Sequence, residues 1–168
     1  MIDTVSYRIL PATLAHVEDI AAFVLPTMEK LYPPGAFNPD PDDLKRFAEV
    51  YVKPPDACFY VARDNGGTII GTAAVRPYDR RFPFMNEIFG SRAVCEVTKV
   101  YIDVHLRRQG VGSALYRTVE SFARQAGYEM SYLHTSTYLP GGFPFWVSRG
   151  YQICYDETDL VKHLSKLL

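Results

Sequence analysis

Apolar positions along the chain change period several times, and each change marks an element. Residues 7–10 read as a short strand. Pro11 leads into Thr13, an N-cap for a helix carrying Leu14, Val17, Ala21, Val24, Leu25, Met28 and Leu31 at helical spacing. Pro26 is expected to kink or divide it. Residues 32–41, with Pro33, Pro34, Gly35 and Pro39, read as a connecting loop. Asp40 then caps a second helix with Pro41 in its first position and Leu44, Phe47, Ala48 and Tyr51 as its stripe. Helix capping and the favourable first-turn charges of Asp42 and Asp43 account for all three aspartates, and Pro54 with Pro55 ends the helix.

Two β-rich runs, 57–63 and 68–75, flank Asp64, Asn65, Gly66 and Gly67, which is a hairpin signal. Residues 77–90 form a longer connection rich in Tyr, Phe and Arg. Residues 93–102 then read as a buried strand interrupted by Glu96, Thr98 and Lys99, polar groups that need partners or a role there. From Gly110 the period becomes helical: Val111, Leu115, Val119, Phe122 and Ala126 recur at intervals of 4, 4, 3 and 4, and Gly127 closes the helix. Residues 128–138 are a strand, 140–142 a turn, 144–149 a short helix and 151–155 a strand, while 160–168 fits either helix or strand. Helices interleaved with strands make the class α/β, a mixed sheet. With 168 residues and no repeat or linker, residues 1–168 are expected to form one domain.

Composition narrows the function classes. Lys and Arg number 18 against 19 Asp and Glu, which argues against nucleic acid or an anionic membrane as the main partner. Three cysteines, Cys58, Cys95 and Cys154, lie in apolar runs and read as reduced, inert thiols, favouring a cytoplasmic compartment. Residues 1–10 lack a leader pattern, and no run approaches the roughly 18 apolar residues of a membrane span. The 12 Tyr, 10 Phe and 1 Trp exceed what core packing alone requires, so some are expected to wall a pocket.

Residues 100–115 carry the chemistry. A buried strand runs through Asp103, Arg107, Arg108 and Gln109 into Gly110 and Gly112 and then directly into the amphipathic helix. Such a turn presents unpaired N–H groups at a helix N-terminus, where the macrodipole favours anions. Two glycines admit close approach and two arginines add charge, so the turn reads as a phosphate cradle. It lacks the Gly-Lys-Ser/Thr of a nucleoside triphosphate loop, and Leu115 occupies the place of the third small residue of a dinucleotide fingerprint.

Arg107-x-x-Gly110-x-Gly112 resembles the R/Q-x-x-G-x-G/A signature of the GNAT superfamily of acetyl-CoA-dependent N-acetyltransferases. The strand with Glu96 before it, and Phe145-Trp146-Val147-Ser148-Arg149-Gly150-Tyr151 after the next strand, extend the resemblance. It implies a mixed, mostly antiparallel central sheet of six to seven strands with about four helices. It also implies acetyl-CoA as acyl donor and no metal. The pyrophosphate would lie on the amides of Arg108, Gln109, Gly110, Val111, Gly112 and Ser113, beside Arg107, with the pantetheine arm on the backbone of Val100, Tyr101 and Ile102. The acceptor would be a small-molecule or peptide amine, attacking the thioester where two strands part. The oligomeric state, monomer or homodimer, is left open.

That reaction needs a proton acceptor, an oxyanion contact and a proton for the leaving thiolate. Glu96 is the first candidate base, directly or through water, and His134 the second; the N–H of Val100 or a neighbour is the oxyanion contact. The family's usual acid is a Tyr at the position of Trp146, and an indole cannot donate in that way. Tyr138, Tyr101 or solvent would take its place, and an acyl-CoA-binding module without transfer activity is the alternative reading. Tyr32, Phe37, Tyr78, Phe82, Phe84 and Tyr138 are candidates for the acceptor pocket, and Tyr101, Phe122 and Trp146 for the cofactor-bearing core.

Overall fold

The computed structural model describes residues 4–139 and 141–168; Pro140, read as part of a turn, lies outside them. β1 (Tyr7–Pro11) passes through a 3-10 turn (Leu14–His16) into α1 (Val17–Leu31). α2 (Asp42–Lys45) and a π-helical turn (Ala48–Val52) precede β2 (Cys58–Asp64), β3 (Ile69–Pro77) and α3 (Pro83–Phe89). β4 (Val94–Ile102), a second 3-10 turn (Val104–Leu106) and α4 (Val111–Gln125) lead to β5 (Met130–Ser136). α5 (Gly142–Ser148), β6 (Gln152–Asp156) and β7 (Val161–Leu167) follow. The strands form one seven-stranded sheet in the order β1-β2-β3-β4-β5-β7-β6. The fold is α/β, and every pairing is antiparallel except β4 with β5.

Two apolar layers sandwich the sheet. On one face α4 sets Val111, Leu115 and Val119 against Ala73, Val97 and Leu133. On the other, Ile20, Val24 and Met28 of α1 pack with Phe47, Tyr51 and Phe59. That packing holds α1 together through Pro26, which sits inside the helix without dividing it: tertiary burial outweighs the lost N–H, a cost of about 3 kcal/mol. A third cluster gathers Tyr78, Met85, Phe89, Val94 and Tyr132, with Phe82 and Phe84 against it. Tyr78 and Phe84 in this cluster, and Phe37 against the α1 layer, spend their apolar surface on packing, whereas Phe82 also touches the site described below.

Other boundaries shift for physical reasons. The second helix is shorter than its stripe implies, because Pro41 sits in extended conformation as the N-cap and the chain passes after α2 into the π turn. α3 falls inside the stretch read as a connection; Pro83 at its first turn, with Met85 and Phe89 one turn apart and buried, was its signal. Residues 161–167 are a strand, paired along its length with β5. Asp43 departs from the capping explanation: it is buried, 2.8 Å from Lys99 Nζ, and accepts a 2.6 Å hydrogen bond from Tyr51.

Gly71 sets how close α4 comes to β3, since a Cβ there would lie 2.8 Å from Leu115 Cδ1 and 2.9 Å from Ile102 Cδ1. Gly71→Ala should lower unfolding free energy by about 1–3 kcal/mol in denaturant titration, and an unchanged midpoint would mean that the contact is relieved without cost.

Candidate active site

The site begins where β4 and β5 part. They pair in parallel only over Val94 with Met130, Cys95 with Ser131 and Glu96 with Tyr132. Beyond this β4 follows β3 and β5 follows β7, so two inner edges diverge with their backbone groups facing each other across a gap. The divergence coincides with a bulge. Thr72 pairs with Tyr101 and Ala74 with Thr98, leaving Lys99 and Val100 opposite Ala73 alone. Lys99 has φ +53, a left-handed conformation costly for a side-chain-bearing residue. Three contacts hold it there: Thr72 Oγ1 donates to the Lys99 carbonyl at 2.7 Å, Lys99 Nζ pairs with Asp43, and Tyr51 Oη lies 2.9 Å from Thr98 Oγ1.

A cavity of about 670 Å³ fills the gap and runs to the N-terminus of α4. Val100, Tyr101 and Ile102 form one wall, and Thr135, Leu139, Gly142, Phe145 and Trp146 the other. At its far end lie Arg107, Arg108, Gly110, Gly112 and Ser113. Gly110 is the N-cap of α4 with φ +84 and Arg108 has φ +64, so the chain turns sharply and leaves the first amides of the helix without intrahelical partners. Among the described residues no side chain caps this end. Among the residues expected to hold the cofactor, Gln109 and Val111 contribute no cavity wall: Gln109 Oε1 accepts from the Val5 amide at 3.3 Å, and Val111 is buried in the core. Arg149, which the sequence reading did not single out for binding, reaches from the end of α5 to donate to Ser113 Oγ at 2.6 Å and stacks on Phe145, adding a third guanidinium beside the cradle.

Gly112 does not aim into the phosphate space. A Cβ there would meet Ile102 and Phe145 at ordinary contact distance, so a larger side chain would enter the cavity between β4 and α5. Trp146 is buried against Tyr116, Phe145 and Tyr151 and forms the cavity wall. At the mouth, Tyr101 Oη lies 3.4 Å from Tyr32 Oη, and Tyr32 meets Tyr138 edge to face at 6.3 Å. Burial holds the Tyr101 phenol well above its ordinary range, with Tyr32 adding to the effect.

Glu96 stands at the vertex of the gap, but both its oxygens are taken. Oε1 accepts from Arg76 Nε at 3.0 Å and Nη2 at 2.6 Å, and Oε2 accepts from Arg81 Nη2 at 2.6 Å. Its side chain is only 2% exposed. His134, two residues past the last β4–β5 pair, is exposed on the same face, with its ring near Phe82, Tyr132 and His163. Desolvation by these neighbours lowers its pKa below that of a free imidazole, against the pull of Glu96 and with the help of Arg81 and His163. His163 beside it is fully buried, sharing hydrogen bonds with Tyr132 Oη at 2.6 Å and Glu157 Oε2 at 2.7 Å. Cys58 and Cys95 are free, buried thiols pushed up to about 12 by desolvation.

The model of the acetyltransferase (GNAT) family matches residues 24–151. The chain belongs to that family. Among curated proteins it is similar to N-acetyltransferase 8B of Mus musculus, 30% identical over 102 residues covering 61% of this chain and 40% of that protein. It is also similar to N-acetyltransferase 8 of Homo sapiens, 28% identical over 110 residues covering 66% of this chain and 45% of that one. The matched region thus spans less than half the length of these relatives. The fold is shared with the acetyltransferase of GNAT family from Staphylococcus aureus Mu50, at TM-score 0.78 and 16% identity over 97% of this chain and 99% of that one. It is shared likewise with the GNAT domain of S. lividans PAT, at TM-score 0.74 and 21% identity over 96% and 90%. Among the described residues no helix is long and apolar enough to cross a membrane.

If Glu96 is the buried counter-ion of two guanidiniums, Glu96→Gln should lower unfolding free energy by about 3 kcal/mol. A loss under about 0.5 kcal/mol, the scale of a surface pair, would show that the ion pair is not formed in solution.

Proposed function

We propose that the protein transfers an acetyl group from acetyl-CoA to a primary amine by direct attack within a ternary complex. The observation that carries this reading is the single cavity joining an uncapped helix N-terminus to the parted strands. Its cradle suits a pyrophosphate, and its diverging edges suit an extended arm that pairs like an added strand. The α4 amides with Arg107 and Arg108 hold the phosphates, Arg149 adds charge beside them, and the backbone of Val100, Tyr101 and Ile102 pairs with the arm. No metal is needed for the reaction.

The thioester carbonyl then lies at the bulge, and the N–H of Val100 stabilises the oxyanion. The amine nitrogen attacks the carbonyl carbon and loses its proton to His134, directly or through water. Collapse breaks the carbon–sulfur bond, and the thiolate takes a proton from Tyr138, which solvent restores at the exposed rim. His134 fits the base because no hydrogen bond among the described residues engages its ring and its lowered pKa keeps it unprotonated at neutral pH. Glu96, both oxygens engaged, acts as a positioning residue.

Two measurements test this reading. Acetyl-CoA should bind in calorimetry; Gly112→Ala should retain binding, whereas Gly112→Phe should weaken it at least tenfold, and no binding at millimolar ligand sinks the proposal. In pH-rate profiles the acid limb should fall through the lowered His134 pKa, below 6.5, as protonation removes the base. His134→Gln should abolish that limb and reduce kcat about 100-fold at neutral pH, whereas an intact limb would remove His134 from the role. Binding of acetyl-CoA with no thiol release across an amine panel would favour the binding-module reading, which Trp146 in place of a phenol supports.

A further inference from the structure

The ion pair around Glu96 has an asymmetry. The carboxylate is 2% exposed, while its partners Arg76 and Arg81 remain 24% and 31% exposed. The neighbouring pair repeats the order, with Lys99 at 14% over Asp43 at 8%. In both pairs the acid is therefore the more deeply buried member. Asp79 is the remaining acid in the group, and it sits outside, 54% exposed, on Arg81 Nη1. Among the described residues Arg76 Nη1 has no hydrogen-bond partner and is not sealed from solvent.

The position of this group fixes what it can meet. Arg76 is the cross-strand partner of Glu96, and Glu96 pairs with Tyr132 at the vertex of the gap. His134 is two residues further along β5, about 6.6 Å at strand rise. Phe82 joins the two regions: its ring is 4.8 Å from the Arg81 guanidinium and 6.0 Å from the His134 ring. An acceptor whose nitrogen lies at His134 would place a group one or two carbons away within reach of the arginines. Arg81 Nη1 and Nη2 are held by Asp79 and Glu96, so the open donor of the group is Arg76 Nη1, and a guanidinium with an open N–H recognises a planar carboxylate better than a neutral group.

We propose that Arg76, braced by Glu96 with Arg81 beside it, is the donor of a carboxylate clamp that selects primary amines bearing an adjacent carboxylate, the chemistry of a free amino acid. The inference rests on the acetyl-transfer reading and assigns Glu96 a use that a free base would not have. It also accounts for a buried acid whose two oxygens are spent on two cations rather than one. A peptide N-terminus, with an amide where the carboxylate would be, fits this site poorly.

Matched triplets test it: an aromatic and an aliphatic amino acid, the amide of each, and the decarboxylated amine of each. Thiol release from acetyl-CoA and calorimetric binding to the CoA-saturated protein are measured for all. The carboxylated member should be favoured at least tenfold in kcat/KM and in Kd. Arg76→Gln should cut that preference about tenfold, with Arg76→Lys retaining part of it, and a cooperative thermal transition above the assay temperature shows that the variants, though less stable, are folded. Equal or better use of the amides overturns the clamp and points to peptide acceptors, and so does an absence of carboxylate preference in binding. A carboxylate preference in binding with no turnover of any acceptor upholds the clamp while overturning the acetyl-transfer reading.

Discussion

Every functional element of this chain depends on the parting of β4 from β5. A parallel pair that stayed zipped to Ile102 would close the sheet and leave α4 with a capped or covered N-terminus and no channel leading to it. The strands part because Lys99 and Val100 crowd against one residue of β3, which bends β4 and interrupts its ladder. A left-handed lysine is not self-sustaining, so the fold fastens it at its carbonyl through Thr72 and at its ammonium through Asp43. The burial of Asp43 follows from this: a carboxylate out of water is tolerated when an ammonium and a phenol both meet it.

The same constraint sorts the charges. Opening the sheet exposes a polar face that a closed sheet would have filled with apolar side chains. The ion pairs beside the gap keep their acids innermost, so that each buried carboxylate is met by the cations over it. A formal net charge of -1 is compatible with this because the arrangement is local: the cradle at α4 and the arginines at the vertex are separate small fields, neither requiring a basic molecule.

How far the sequence could be read follows from the range of each signal. The α4 helix, the glycine turn before it and the hairpin were legible because helical period, positive-φ glycines and turn residues act within a few positions. The gathering of Arg107, Arg108, Gly110, Gly112 and Ser113 at one end of the cavity follows from their closeness in sequence. The arginine partners of Glu96 were not: Arg76 and Arg81 lie 20 and 15 residues away in sequence, and only strand register brings them together. Arg149 was hidden for the same reason, since it reaches Ser113 across 36 residues. The short α3 was missed because one turn of apolar spacing, flanked by aromatics, looks the same in a loop that packs. The final strand needed its partner, β5, before its period meant anything.

Trp146 sharpens the division of labour within the cavity. A phenol at that place would combine a wall with a proton donor, whereas the indole, packed among Tyr116, Phe145 and Tyr151, can only be a wall. In the proposed reaction both proton-handling groups must then come from elsewhere, His134 on β5 and Tyr138 just beyond it. The strand that parts from β4 carries His134 and leads into Tyr138, and β7 holds that strand along its whole length. The pair of rings behind His134, Tyr132 and the fully buried His163 tied to Glu157, gives the divergent strand a rigid backing just where no β4 remains to support it. The bend that opens the site thus also decides which strand must carry its chemistry and why that strand needs a second, polar core behind it.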